Sequence, residues 1–559
     1  MSRFVDTLLA SATGPGDRGM VTGEPAAPLR RTWAEVHEDA RTMAAALIEG
    51  GLEPGDAVAV LAADPAAIAP AVQAVWLAGG SITMLHQPTA RTDLAQWAED
   101  TLVVLGMIDA GLVLLGAPFE PLADILSQHD IRFSRMAELA NHDGRVDAPV
   151  PVEESATALL QLTSGSTASP KAVRITHGNL FANLTSMRIG AELDPEHDVM
   201  VSWLPVFHDM GMVGFLTVPM TLGIELVKVT PPDFLSRPTL WADLLSRYGG
   251  TVTAAPNFAY AMAARRLATS DDEFDLSRVR LALNGAEPID PGAARLFTDV
   301  CARYGLKPGA MMCAYGMAEV TLAVSFAPLG VGLEVDEVDA EQLEENHRAV
   351  PPSPVDGTVD GAVDSTRAFP LLGKPLSGLE IRVLDDEDAV LPARGVGRLQ
   401  LRGEAVTPGY LTVDGPLATQ DADGWLDTGD EGYVTEHGEV VVCGRRKDVI
   451  IMGGRNIYPT DIERAASTVD GVRAGNVVAV RLDAGQRREA FAVALESRLA
   501  GDEDAVRAIR KEVASRVVDA VGLRPLDVVV LPPGGLPKTP SGKLRRAATG
   551  DLVAKARAG

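Results

Sequence analysis

Over roughly the first 150 residues the chain alternates apolar positions at helical spacing with short continuous apolar runs, the rhythm of βαβ units. Trp33 opens a helical stretch that runs to Ile48. Gly55-Asp56 then turns the chain into an apolar strand that ends at Leu61. Ala66 to Trp76 reads as a helix and Ser81 to Leu85 as a strand. The rhythm returns at Thr251 to Ala255, a strand ending at Pro256-Asn257, and at Val279 to Leu283, a strand ending at Asn284-Gly285. In open α/β sheets ligands bind beyond the carboxyl ends of strands, so the polar segments after these strands are candidates for chemistry.

Other stretches break the rhythm. Met212 to Val229 is the most apolar long run, but it contains Pro219, Gly223, Glu225 and Lys228, which predicts a buried strand-turn-strand and not a membrane span. Ala349 to Thr366, with Pro351-Pro352-Ser353-Pro354, Gly357 and Gly361, reads as a flexible surface insertion. Short strands and turns from Ile381 to Leu401 predict a small β subdomain. Glu439 to Cys443 is a strand, and a boundary falls near Gly444. Beyond it, strands at Val477 to Val480 and Ala490 to Leu495, with Val506, Ile509, Val513, Val517 and Val521 at helical spacing, predict a separate α+β unit.

Composition narrows the picture. A chain of 559 residues exceeds one ordinary core of about 150 residues, and 46% hydrophobic residues support large buried cores. A formal net charge of -26 argues against a nucleic-acid partner. Cys301, Cys313 and Cys443 lie far apart without a C-x-x-C pair, so buried free thiols are expected, with neither a disulfide framework nor a thiolate metal site. No secretory apolar segment follows Met1, so a cytoplasmic protein without a transmembrane segment is expected.

The chemistry centres on the segment from Leu162 to Lys171. Thr163, Ser164, Gly165, Ser166, Thr167 and Lys171 offer short hydroxyl donors, a flexible backbone and one cation, as a phosphate chain requires. Ser, Thr and Gly also mark ordinary turns, so the stretch alone leaves both readings open. It lacks the second Gly and the Lys-[Ser/Thr] step of a Walker loop, and the three close glycines of a dinucleotide fingerprint.

Further segments follow in order: Trp203 to Asp209 (WLPVFHD), Asn284-Gly285-Ala286-Glu287-Pro288, Tyr315-Gly316-Met317-Ala318-Glu319, Thr428-Gly429-Asp430, Gly444-Arg445-Arg446-Lys447-Asp448 and Pro537 to Leu544 (PKTPSGKL). Together with the hydroxyl-rich loop they resemble the acyl-adenylate-forming superfamily of acyl-CoA synthetases, peptide-synthetase adenylation domains and luciferases. The resemblance spans residues from about 30 to about 550. Ser202-Trp203-Leu204-Pro205 before His208-Asp209-Met210-Gly211, and Asn456 to Glu463, look like the fatty-acyl-AMP ligases. The loop departs from the common pattern, with Ala168 and Ala172 where glycines are usual.

The resemblance implies an α/β fold: a large N-terminal domain over 1-444, with two α/β sheets and a distorted β subdomain, and a small mobile α+β C-terminal domain over 445-559. It implies ATP-dependent activation of a fatty acid with release of pyrophosphate, then transfer to a phosphopantetheine thiol on an acyl carrier or polyketide synthase. A CoA synthetase sharing the first step, and a non-catalytic acyl- or AMP-binding protein on the same fold, are the alternatives. By the same resemblance Ser164, Ser166, Thr167 and Lys171 hold phosphates, and Glu319 helps bind Mg²⁺, although a helix-start Glu is its bland reading. Tyr315, Gly316 and Met317, with Gly285, Ala286 and Glu287, border the adenine, while Asp430 meets the ribose and Arg445 the same ribose or the phosphate. His208 borders the acyl and pantetheine route, Lys447 is the hinge, and Lys543 swings in as the catalytic lysine. The bland readings are a structural histidine for His208 and a solvated lysine in a basic tail for Lys543. Met212 to Met220 is a candidate acyl-tunnel wall or plain core, and Arg487 and Arg488 are candidate contacts for an acidic carrier.

Overall fold

The computed structural model describes residues 2–13, 16–89, 92–163, 169–352, 366–452, 455–482, 490–539 and 542–558. Among these, two large sheets form the body. One has eight strands, with Ala57–Leu61, Ser81–Met84 and Thr157–Thr163 at its centre. The other has nine, with Val199–Ser202, Val252–Pro256, Leu281–Gly285 and Met311–Gly316 running parallel side by side. The expected helices and strands of the first third are present, as Trp33–Glu49, Pro65–Leu77 and the strands named above.

The helix Pro65–Leu77 shows why the sequence folds so. Asp64 caps it by accepting from Ala66 N, Pro65 occupies the first turn, and its residues from Ile68 to Leu77 are all buried. Trp76, fully buried, meets Phe4 edge-on at 4.8 Å and donates from Nε1 to Ala158 O at 2.9 Å. Truncating such a residue costs about 3–5 kcal/mol.

One expectation is corrected. Met212 to Val229 is not strand-turn-strand: Met210–Thr217 is a π-helical segment, Val218–Leu222 an α-helix ending at Gly223, and only Glu225–Lys228 is a strand. The helical part is buried on every side, so the run carries no helical period to betray it. Of the stretch 349–366, read as a surface insertion, only 349–352 and 366 are described. Ala349 is buried, and Val335–Asp339 pairs antiparallel with Thr366–Pro370 in a hairpin that carries the helix Ala340–Asn346. Residues 353–365 lie outside the described residues.

The β subdomain is a four-stranded antiparallel sheet, Leu379–Leu384, Gly397–Gly403, Leu426–Val434 and Val440–Arg445. The C-terminal unit packs Pro459–Ser467 and Glu503–Val521 on the sheet Val472–Leu482, Ala490–Ser497 and Asp527–Leu531, around its own core of Ile462, Val493, Val513 and Val517. A buried ion cluster joins it to the hairpin. Glu344, 1% exposed, accepts from Arg367 at 2.8 Å and from Arg455, while Arg367 pairs with Asp461 at 3.1 Å. Arg367 and Arg455 also donate to Ala520 O and Val521 O of the C-terminal helix. Buried charges need such partners, because taking them from water is costly.

Candidate active site

A continuous cleft of about 3320 Å³ runs between the two units. That exceeds the ~300–1,000 Å³ of a typical small-ligand pocket. Its lining joins polar groups at strand ends to an apolar wall that includes Met187, Leu193, Met200, Val252, Leu281 and Phe326.

Lys543 reaches into this cleft from the C-terminal unit. Thr539 N donates to Lys543 O at 2.7 Å, Lys543 N to Thr539 Oγ1 at 3.1 Å, and Gly542 N to Thr539 O at 2.9 Å. Gly542 has φ +90°, open to glycine at no cost, and a side chain there would meet the Phe258 ring. The turn sets Lys543 Nζ 2.9 Å from His208 Nε2, and His208 Nδ1 lies 2.6 Å from Asp209 Oδ1. An ammonium has only protons to give, so in this contact Nε2 is the acceptor. Burial pushes the lysine below its ordinary value, against the pull of Asp209 and Glu287. Burial raises Asp209, but His208, Lys543 and the Met210 N–H together leave the carboxyl below its usual range. Gly211 permits the turn before the π-helical segment, because a Cβ there would lie 2.0 Å from Pro205 O. At the same place Gln161 Nε2 donates to Phe207 O at 3.0 Å.

A second cluster lies where the β subdomain meets the nine-stranded sheet. Asp430 and Arg445 face one another on paired strands, with Arg445 Nε 3.0 Å from Asp430 Oδ1. Arg445 also donates to Thr428 O at 3.0 Å, and Tyr315 donates its hydroxyl to Asp430. Burial raises Asp430, opposed by Arg445 and the tyrosine. Gly285 ends a strand beside Ala286, whose φ of +67° is strained for a residue with a side chain. Glu287 accepts from Phe258 N at 2.6 Å, and burial raises its carboxyl. Gly316 and the buried Met317 follow Tyr315 along the same wall.

A third cluster joins Lys171, Glu319 and Tyr410. Tyr410 donates to Glu319 Oε1 at 2.7 Å, and Lys171 Nζ lies 3.9 Å from the Tyr410 ring centre. Lys171 begins a strand paired with Gly409–Thr412, which brings the three together. Burial lowers Lys171, and Glu319 opposes the shift. Thr163 ends its strand with a buried hydroxyl that has no partner among the described residues. Ser164, Gly165, Ser166 and Thr167, and likewise Arg487 and Arg488, lie outside the described residues. Lys447 is exposed in the short turn Arg446–Asp448, next to Arg445. Of the candidate tunnel stretch, Gly214, Phe215 and Val218 line the cleft, and Met212 is core.

The sequence reading missed Tyr410, Gln161 and His86. His86 packs edge-on to Phe207 at 5.5 Å, and burial pushes it down to about 4. None of the three stands in a motif, and their partners are distant in sequence. The three cysteines are free and buried, as expected.

Residues 10–411 match the model of the AMP-binding enzyme family. A Mycobacterium tuberculosis protein designated as a ligase, Rv1013, is 55% identical over 99% of this chain and 100% of its own length. The long-chain-fatty-acid–AMP ligase FadD26 of Mycobacterium marinum is 34% identical over 72% of this chain and 71% of its own. A solved structure from a study of fatty acyl-adenylate ligases of E. coli and L. pneumophila superposes with a TM-score of 0.89 at 30% identity, covering 100% of this chain and 98% of the other. The L. pneumophila ligase solved with acyl adenylate and pyrophosphate superposes with a TM-score of 0.72 at 25% identity, over 99% and 96%. The chain belongs to the AMP-binding enzyme family, among relatives named as fatty-acid–AMP ligases.

Proposed function

We propose that this enzyme activates a fatty acid with ATP, forming an acyl-adenylate and pyrophosphate, and passes the acyl group to the phosphopantetheine thiol of a carrier or polyketide synthase. The observation that carries the reading is the contact of Lys543 with His208 across the cleft, at the meeting point of both units. A carboxylate oxygen attacks the α-phosphorus, and the bond to the bridging oxygen of pyrophosphate breaks. Both reactants are anions, so alignment and positive charge lower the barrier. Lys543 neutralises charge between carboxylate and α-phosphate, Lys171 attracts the outer phosphates, and Asp430 accepts from the ribose hydroxyls. Tyr315 holds Asp430 and offers its ring to the base beside Gly285–Glu287, while Arg445 balances the buried carboxylate.

Glu319 suits Mg²⁺, because that ion is commonly held by one or two carboxylates plus substrate phosphates, and Glu319 stands beside the phosphate cation Lys171. There Mg²⁺ would neutralise phosphate charge. Lys447, between the unit that holds ATP and the unit that holds Lys543, is the hinge, and 444/445 is the domain boundary. Free cysteines support a cytoplasmic location, and no described helix is long and apolar enough to cross a membrane.

Labelled dodecanoic acid with ATP and Mg²⁺, with and without CoA, tests the reading. Acyl-AMP that accumulates even in the presence of CoA is the expected result. Conversion to acyl-CoA would make the acceptor CoA. Failure to exchange pyrophosphate into ATP with any fatty acid would leave a binding protein.

A further inference from the structure

Lys228 ends the strand Glu225–Lys228 and is 1% exposed. Lysines are almost never buried this deeply without a charged partner. None meets Lys228 among the described residues. Its nitrogen lies 3.1 Å from Ser202 Oγ and donates to Leu204 O at 2.7 Å. Both partners belong to the segment that leads from the strand Val199–Ser202 to His208. Ser202 Oγ also accepts from Leu204 N at 3.1 Å, and Pro205 O accepts from His208 N at 3.2 Å. Between them Trp203 stacks on Phe234 at 4.0 Å and lines the cleft.

We propose that Lys228 is a positioning residue for the active site: its amine clamps the turn from Ser202 to Pro205 and thereby sets Trp203 in the cleft wall and His208 against Lys543. A neutral amine can accept the Ser202 hydroxyl proton and still donate to Leu204 O, so the buried groups are satisfied together. An ammonium brings three N–H groups to two acceptors and leaves the Ser202 proton without its nitrogen. The clamp is therefore tighter in the neutral form. Burial pushes the group down to about 7, within the working range of an enzyme. The flanking strands Gly19–Thr22 and Val199–Ser202 carry no titratable side chain. The helices packed on Trp203 carry Asp233, bonded to Thr230, Asp243, paired with Arg237 and Arg247, and, on the helix of Phe258, Tyr260, Arg265 and Arg266. Through the turn the clamp reaches His208, Asp209 and Lys543.

The test is Lys228→Met in the full chain. The folded value lies below the ordinary 10.5, so the wild type loses stability as pH falls from the ordinary value toward 7, and the loss levels off below. The variant is relieved of this, so its gain in melting temperature is expected to be larger at pH 7 than at pH 9. ATP–pyrophosphate exchange is expected to fall about fivefold at pH 8 with KM for ATP unchanged. The wild-type-to-variant rate ratio should then shrink toward one as pH drops below 7. A lysine with a purely structural role would move the melting temperature and leave that ratio flat, and a flat ratio or an unchanged rate overturns the proposal. Ser202→Ala keeps the amine but removes its partner. If the Met variant fails to fold, unchanged exchange kinetics of Ser202→Ala from pH 6 to 9 overturns the proposal instead. The rate arms rest on the adenylating reading. A wild type that exchanges no pyrophosphate would sink that reading, whereas the melting comparison still decides whether the buried amine titrates as described.

Discussion

Lys543 and Asp430 show how one side chain can be asked a separable question. Replacing Lys543 by Ala removes a cation aimed at the reacting centre, so adenylation should fall ~10²-fold or more. Thioester formation from premade acyl-AMP should largely survive. Quench-flow measurement of both half-reactions checks this, and equal losses would place the lysine in a general binding role. Asp430→Asn keeps the shape but loses the charge facing Arg445, 3.0 Å away. KM for ATP should rise about tenfold with kcat little changed, the scale of one charge-assisted hydrogen bond; a lowered kcat with unchanged KM would exclude the ribose role. These residues were legible because each stands in a short motif, Thr428-Gly429-Asp430 and Pro537 to Leu544, that resembles the family's; alone, Thr-Gly-Asp is an ordinary turn. Tyr410 was not, since its partner Glu319 lies 91 residues away and a tyrosine within a strand has no local signature.

Secondary elements were readable where their two faces differ. Glu503–Val521 shows Ile509, Val513, Val517 and Val521 buried on one side, the period seen in the sequence. Met210–Thr217 is buried all round, and without a helical period its apolar run reads as strand, which the structure overturns. The hairpin Val335–Asp339 with Thr366–Pro370 escaped notice because charged and turn-forming residues fill the span between its strands. At this scale Lys447 is the informative position. A proline at 447 fixes φ near −65° and removes an N–H, which a turn that rotates between two steps would not tolerate. Lys447→Pro should impair acyl transfer more than adenylate formation. Separate assays of the two half-reactions check it, and intact turnover in both removes the hinge.

Across the whole molecule, the two units meet through buried charge as well as through an apolar cluster of Val338, Leu343, Phe369, Tyr433, Val449 and Tyr458. Glu344 and Arg367 lie about ninety residues or more before Arg455 and Asp461, so no local pattern reveals the cluster. Glu344→Gln leaves two arginines under-compensated, and removing one member of a buried pair costs about 3–5 kcal/mol. The melting temperature should fall accordingly, and a change confined to surface-charge scale would mean that water reaches the cluster.

The same cluster bears on the lifetime of the product. An acyl-adenylate is a mixed anhydride that water destroys, and in this structure Lys543 bridges the cleft to His208. Separating the units would strip Glu344 and Arg367 of partners in a poorly hydrated place, so the closed state should persist after chemistry. Each enzyme molecule would then release one equivalent of pyrophosphate in a rapid burst and keep its anhydride dry until a thiol arrives, with a slow leak in between.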